Sequence, residues 1–277
     1  MNEANTVLTP DVLIIGAGPS GAAAASLLRQ YGYQVLVLER QHFPRFSIGE
    51  SLLPQSMAFL EEAGLLDAVN QAAPEFGFQF KNGAAFLRGN ERTHFDFTDK
   101  FTAGPGTTWQ IKRASFDHVL AKQAAAYGAD IRYGHTVTAV DVTGEQALVD
   151  VQPEEGAAYQ VQPKFILDAS GFGRVLPKLL DLESPSNFPL RRAVFTHIAA
   201  QFRPCRIRPQ QNPHQRAPTP PQSVVLEHSV CRWPLLVWRG GRNRFLRPVW
   251  RLGLRRFVTS DFGLRTLFIQ AVGTSRI

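Results

Sequence analysis

The run Asp11-Val12-Leu13-Ile14-Ile15-Gly16-Ala17-Gly18-Pro19-Ser20-Gly21 constrains this chain more than any other. A short apolar β-run, Val12–Ile15, stops on a Gly-x-Gly-x-x-Gly hexad. An Ala/Leu-rich stretch with helical spacing follows over Gly21–Tyr31, and Gln34–Glu39 reads as a second strand by its Val-Leu-Val-Leu core. Strand, glycine turn, helix and strand in that order make a βαβ unit. Each glycine then has a physical role. Gly16 permits the tight turn, Gly18 lets the backbone approach a pyrophosphate, and Gly21 lets the helix pack closely on the strand. Ala17, Pro19 and Ser20 complete the loop, and the helix N-terminus turns unpaired N–H groups and a partial positive charge toward phosphates. Glu39 ends the second strand, 23 residues after Gly16, where a carboxylate accepts hydrogen bonds from a ribose and repels a 2′-phosphate. A dinucleotide of the FAD or NAD type is expected, rather than NADP.

The elements that follow extend the same architecture. A helix is expected from about Pro54 to Ala63, and another over Ser115–Tyr127 with Ser115 as N-cap and Gly128 just past the end. Ile131–Tyr133, Val137–Val142, Ala147–Val151 and Phe165–Asp168 read as strands, separated by Gly134, Gly144 and Pro163. The fold class is α/β: a Rossmann-like, three-layer domain whose parallel sheet has an antiparallel hairpin attached.

The formal charge of +7 suggests nucleic acid until it is divided along the chain. Residues 1–202 hold 16 Lys+Arg against 21 Asp+Glu, a net of −5; residues 203–277 hold 14 Arg, no Lys and only Glu227 and Asp261, a net of +12. The basicity belongs to the tail. Three readings of it compete: an RNA- or membrane-binding arm, an unusual folded region, and the product of a GC-rich gene read out of frame, which yields Arg, Pro and Trp without Lys. On the last reading the tail buries nothing, and the strand near Val194–Phe202 is an unprotected sheet edge. Cys205 and Cys231 have no metal-ligand spacing, and no metal site is expected. The polar, acidic N-terminus and the absence of a long apolar run suggest a cytoplasmic protein without a membrane span.

The segment Arg40-Gln41-His42-Phe43-Pro44-Arg45-Phe46-Ser47-Ile48-Gly49-Glu50-Ser51-Leu52-Leu53-Pro54 resembles the flavin-dependent halogenases, which carry Gly-Glu-Ser-x-x-Pro at this distance behind their FAD fingerprint. Trp109-Gln110-Ile111-Lys112-Arg113-Ala114-Ser115-Phe116-Asp117 and Asp168-Ala169-Ser170-Gly171 are similar to two further segments of that family. Geranylgeranyl-reductase-like and aromatic-hydroxylase flavoproteins share the pattern less closely. The resemblance implies FAD as cofactor and an FAD-binding domain interleaved with an incomplete substrate-domain portion. The expected division is 1–44 for the βαβ unit, 45–108 for the segment facing the flavin, 109–175 for the rest of the FAD domain, 176–202 for the start of the substrate domain, and 203–277 for the Arg/Pro-rich tail.

It also implies roles for individual residues. Gly49, Glu50 and Ser51 would lie in a loop beside the flavin. Arg40 and Arg113 are candidate pyrophosphate or ribose contacts, or else surface arginines. Asp168 either touches the cofactor or caps its glycine-rich turn. Lys81, the only lysine in the first 99 residues, matches the family's catalytic lysine if it sits on an apolar-lined strand, where desolvation lowers an ammonium pKa; otherwise it belongs to an exposed Lys-Asn-Gly turn. The implied activity makes hypohalous acid from reduced flavin, oxygen and halide and halogenates an electron-rich aromatic, free or carrier-bound, with a separate flavin reductase as partner. The alternatives are an FAD-dependent monooxygenase or reductase and a non-catalytic FAD- or RNA-binding protein. The family's Trp-x-Trp-x-Ile-Pro and its second, Gly-Asp-Ala flavin motif do not occur here, so the chain is expected to be incomplete as an enzyme.

Overall fold

The structure is a computed structural model. It describes residues 7–88 and 91–187, and beyond them the backbone of four strands. In chain order the elements are β1 (Val7–Leu8), β2 (Val12–Ile15), α1 (Pro19–Gln30), β3 (Val35–Glu39), α2 (Gln55–Glu62), α3 (Leu66–Phe76), β4 (Gln79–Lys81), β5 (Gly83–Arg88), β6 (Glu91–Asp96), β7 (Thr108–Gln110), α4 (Arg113–Ala126), β8 (Asp130–Tyr133), β9 (His135–Asp141), β10 (Leu148–Pro153), β11 (Tyr159–Val161), β12 (Phe165–Asp168), α5 (Val175–Leu179), β13 (Arg191–Ala199), β14 (Pro213–Gln215), β15 (Val224–His228) and β16 (Pro234–Arg242). Two interleaved units result: 1–79 with 108–183, and 80–107 with 184–277.

The first unit has three layers. Its middle layer is a parallel sheet in the order β12-β2-β3-β8, and β2 and β3 are buried along their whole length. Because side chains alternate across a strand, each strand feeds two cores. Val12, Ile14, Val35 and Val37 pack with Ala22 and Ala25 of α1, Val69 of α3 and Leu120 of α4. Leu13, Ile15, Leu36 and Leu38 pack with Val137, Val149, Val151 and Val161. These last come from a second sheet, ordered β1-β11-β10-β9. The expected hairpin is therefore β9–β10; the chain runs into it from β8 through Gly134, at φ +73°, and it hydrogen-bonds to β11 to build the third layer.

One helix start is corrected. α4 begins at Arg113 with Lys112 as N-cap and no side-chain cap bond, so Ser115 lies inside the first turn. Glu50, on the loop that follows β3, lies close enough to this helix start for the charges of Lys112 and Arg113 and the Arg113 backbone N–H to favour its charged form.

In the second unit β5 pairs antiparallel with β6 and parallel with β14. The strand expected near Val194–Phe202 is β13, within the described residues Arg191–Ala199, and it stands at one edge of a three-stranded sheet ordered β13-β16-β15, with tail residues paired along its inner side. β13 pairs with β16 over nine residues, Arg191↔Arg242 to Ala199↔Pro234, and β15 covers the other side of β16. The short β-forming runs Val-Val-Leu and Leu-Leu-Val-Trp within the Arg-rich tail carry this pairing. Cys205 and Cys231 lie outside the described residues. Among the described residues no helix is long and apolar enough to cross a membrane, and no three His, Cys, Asp or Glu side chains form a metal-binding group.

Candidate functional site

A cavity of about 660 Å³ opens in the first unit, walled by Ile15 and Leu38 at the ends of β2 and β3. The fingerprint divides its glycines between fold and cavity. Gly16 has φ +101°, and a Cβ there would lie 2.7 Å from the carbonyl oxygen of Ala169. A Cβ at Gly21 would overlap the carbonyl oxygen of Gly16. Both positions exclude any side chain. Gly18 differs: its φ of −64° and ψ of −176° suit any residue, and a Cβ there would meet only Nη2 of Arg45, at 3.8 Å. The space over Gly18 belongs to the cavity. Pro19 occupies N1 of α1, no side chain caps the helix, and the first-turn N–H groups have no intrahelical acceptor.

Glu39 is 5% exposed. Its Oε2 accepts the N–H of Ala17 at 3.0 Å and its Oε1 the N–H of Gln41 at 2.9 Å. The carboxylate thus ties the glycine loop to the end of β3 and is held rigid at the cavity wall. Near it stands a buried charge cluster. Asp117, on α4 and fully buried, accepts bidentate hydrogen bonds from Arg113, at 2.7 Å from Nε and 3.0 Å from Nη2, and a third from Nη1 of Arg45 at 3.2 Å. Nη1 of Arg113 also donates to the Ile48 carbonyl, and Nη2 of Arg45 lies 4.0 Å from Glu39.

Of the residues expected from the sequence, Gly16, Gly18, Pro19, Ser20, Glu39, Arg40 and Arg113 line this cavity, with Arg40 exposed at its rim. Ala17 and Gly21 are buried in the loop and helix beneath it. Gly49, Glu50 and Ser51 are not among its walls: Ser51 bridges to Gln110, and the Glu50 carbonyl accepts the Ile111 N–H. Burial pushes the Glu50 carboxyl up to about 7, against the opposing pull of Lys112 and Arg113. Asp168 serves as the cap of its turn, accepting N–H groups of Ser170 at 2.9 Å and Leu176 at 2.8 Å.

Lys81 belongs to the second unit. It ends β4, is 4% exposed, and holds Nζ 5.2 Å from the ring centroid of Phe97; burial lowers its ammonium to about 8. The strand reading of Lys81, not the exposed-turn reading, is the one the structure takes. Sequence reasoning missed two residues of the first unit's site, Arg45 and Asp117. The available signal was the Arg113–Asp117 spacing of four, which puts opposite charges on one helix face.

A βαβ fingerprint, a buried carboxylate at the end of β3 and guanidinium groups beside an open helix N-terminus define a dinucleotide-binding protein. The sequence profile of the FAD binding domain family matches residues 9–249. The chain belongs to that family, and its cofactor is FAD; the space over Gly18 and the rigid Glu39 fit the pyrophosphate and ribose of that cofactor. Among its relatives, a flavin-dependent halogenase of Armillaria mellea is 33% identical over 174 residues, 61% of this chain and 34% of that protein. A 1H-pyrrole-2-carbonyl-[peptidyl-carrier protein] brominase of Pseudoalteromonas luteoviolacea is 31% identical over 161 residues, 58% of this chain and 37% of that protein. The crystal structure of a flavoprotein/dehydrogenase from Cytophaga hutchinsonii superposes with a TM-score of 0.81 at 35% identity, covering 95% of this chain and 68% of that one. The chain spans about a third of the length of the curated relatives it matches.

Proposed function

We propose that the chain is the FAD-binding part of a flavin-dependent halogenase acting in the cytoplasm on a small aromatic substrate, free or carrier-bound, with reduced flavin delivered by a separate reductase. The observation that supports this reading is the cavity built from Gly16, Gly18, Glu39 and Arg113 in a chain whose curated relatives include halogenases. Bound FAD supplies the redox chemistry through which oxygen and halide become hypohalous acid. The chain's own residues bind and direct. The N–H groups opening α1 face the diphosphate, and Glu39 accepts from the ribose. Gly49, Glu50 and Ser51 form a loop whose place is fixed by Arg113 and by the bridge to Gln110.

Lys81 is the proposed catalytic residue. With its ammonium at about 8, roughly a tenth of the amine is unprotonated at neutral pH. Nζ can therefore donate a hydrogen bond to hypohalous acid or meet its electrophilic halogen as a nucleophile. The second reading, a monooxygenase or dehydrogenase of the same family, is favoured by the Cytophaga hutchinsonii flavoprotein/dehydrogenase.

The test supplies the chain with FAD, a flavin reductase, oxygen, bromide and an electron-rich aromatic, and follows products by mass spectrometry. A bromine isotope pair that requires bromide and vanishes in Lys81→Ala is expected. An oxygenated or dehydrogenated product formed without halide replaces the halogenase reading with the second one. Brominated product retained in Lys81→Ala removes the catalytic role of Lys81.

A further inference from the structure

We propose that Arg45 recognises the diphosphate of the cofactor, and that Asp117 is the positioning residue that aims it. These two roles concern FAD binding alone and hold whether or not the complete protein halogenates.

Three observations converge on Arg45. Its Nη2 is the nearest atom to the position a Cβ would take on Gly18, at 3.8 Å, so the guanidinium faces the backbone segment left bare for a ligand's approach. Its Nε–H is buried and, among the described residues, has no hydrogen-bond partner; a buried donor of that kind is costly unless an acceptor reaches it. Its side chain is only 17% exposed and lines the cavity, so a bound anion would meet it largely out of water, where charge-assisted hydrogen bonds are strongest.

The other arginines of the cavity are disposed differently. Arg40 is exposed. Arg113 has Nε, Nη1 and Nη2 each engaged, with Asp117 and the Ile48 carbonyl, so its geometry serves the Ile48–Gly49 loop. Arg45 gives Asp117 a single bond, through Nη1. That bond orients the plane of the fork and leaves Nη2 toward Gly18.

Asp117 therefore acts through Arg45. It is fully buried, and two guanidinium groups face it. Replacing it by a neutral amide would loosen the fork while keeping the volume of the side chain.

The experiment is calorimetric titration of the whole chain with ADP and, separately, with adenosine, which shares the ribose and base and lacks phosphate. Arg45→Met is expected to weaken ADP binding about ten- to a hundredfold, the range of a lost charge-assisted pair, and to leave adenosine within about twofold. Arg45→Lys keeps the charge without the fork and should lose ADP affinity by a smaller factor; if Arg45→Met does not fold, this variant decides. Asp117→Asn should reproduce the ADP-selective loss. An unchanged ADP affinity in the folded Arg45 variants, or equal losses for ADP and adenosine, overturns the assignment of Arg45. Equal losses for the two ligands in Asp117→Asn would assign that residue to the fold alone.

Discussion

Adding one methyl group at two glycines three positions apart should produce opposite defects, one in folding and one in binding. Gly21 lies inside α1, where alanine is intrinsically favoured over glycine by about 1 kcal/mol. Its Cβ would overlap the Gly16 carbonyl oxygen and stand 3.2 Å from Cβ of Ala169. The obstacle is backbone and cannot rotate away, so the overpacking cost sits near the upper end of its usual range, about 3 kcal/mol. The difference leaves Gly21→Ala about 2 kcal/mol less stable than the parent. Gly18→Ala meets nothing closer than 3.8 Å and keeps an ordinary extended backbone. Its gain from a stiffer unfolded chain is about 0.4–1 kcal/mol and its loss as an N-cap is of similar size, so stability should move by less than about 0.5 kcal/mol. The new methyl instead enters the cavity, and ADP affinity should fall at least about tenfold, as for a methyl forced into a packed contact. Urea unfolding followed by circular dichroism and calorimetric ADP titration read the two quantities separately. A Gly21→Ala protein as stable as the parent would refute the packing argument. A Gly18→Ala protein that loses stability while retaining affinity would show that Gly18 serves the turn and not the ligand.

Three further outcomes are expected. Glu39→Gln removes the charge that accepts the Ala17 and Gln41 N–H groups, and should cost about 1–3 kcal/mol in urea unfolding while weakening adenosine as well as ADP; unchanged adenosine affinity would contradict the ribose role. Lys81 binds fewer protons folded than unfolded between about pH 8 and 10.5, so its burial penalty, on the order of 3 kcal/mol, is present in full below pH 8 and relieved as pH rises to 10.5. Lys81→Met should therefore be more stable than the parent at pH 7, with the gap closing by pH 10; a constant gap would show that the amine is not buried charged. In hydrogen exchange, Leu13, Ile14 and Val37, all fully buried in the parallel sheet, should be the slowest group, and Pro234–Arg242, paired on both sides, should exceed the fully exposed Phe101 segment; immediate exchange along Pro234–Arg242 would contradict its central place in that sheet.

The parts of the fold that were legible in the sequence are those where one short-range pattern settles the matter. Val12–Ile15, the glycine hexad and Val35–Glu39 follow from a change of period, 2 to 3.6 and back, with punctuation between. α3 escaped because Pro74 sits within it, a residue that normally ends helices; the stripe Leu65, Val69 and Ala73, all buried, was the signal that outweighs it. β7 and β11 have three residues each, too few to display any period. β11 exists because a longer partner templates it, Tyr159–Val161 being laid along β10, and β7 pairs with the equally short β4. The strands of the Arg-rich tail were masked by net charge, which reports on partners and solubility and not on whether a run of five residues can pair.

The candidate site divides along the same line. Gly16, Gly21 and Glu39 shape the glycine loop through local spacing, so position alone was enough to single them out with Gly18. Arg45 and Asp117 are 72 positions apart, and neither is unusual in its own neighbourhood; only the fold brings α4 against the loop that follows β3. What this pairing adds is charge balance. Arg45 and Arg113 face Asp117 and Glu39, two cations against two anions, so the cluster can be largely buried without a net charge. A diphosphate entering over Gly18 brings negative charge into that balanced group, and the compensation must come from the N–H groups that open α1 and from the reorientation of a fork already partly aimed at them. Glu39 would repel the same diphosphate if its carboxylate swung freely. The hydrogen bonds from Ala17 and Gln41 restrain it, so one acid can stand beside the glycine loop and keep the place proposed for it at the ribose.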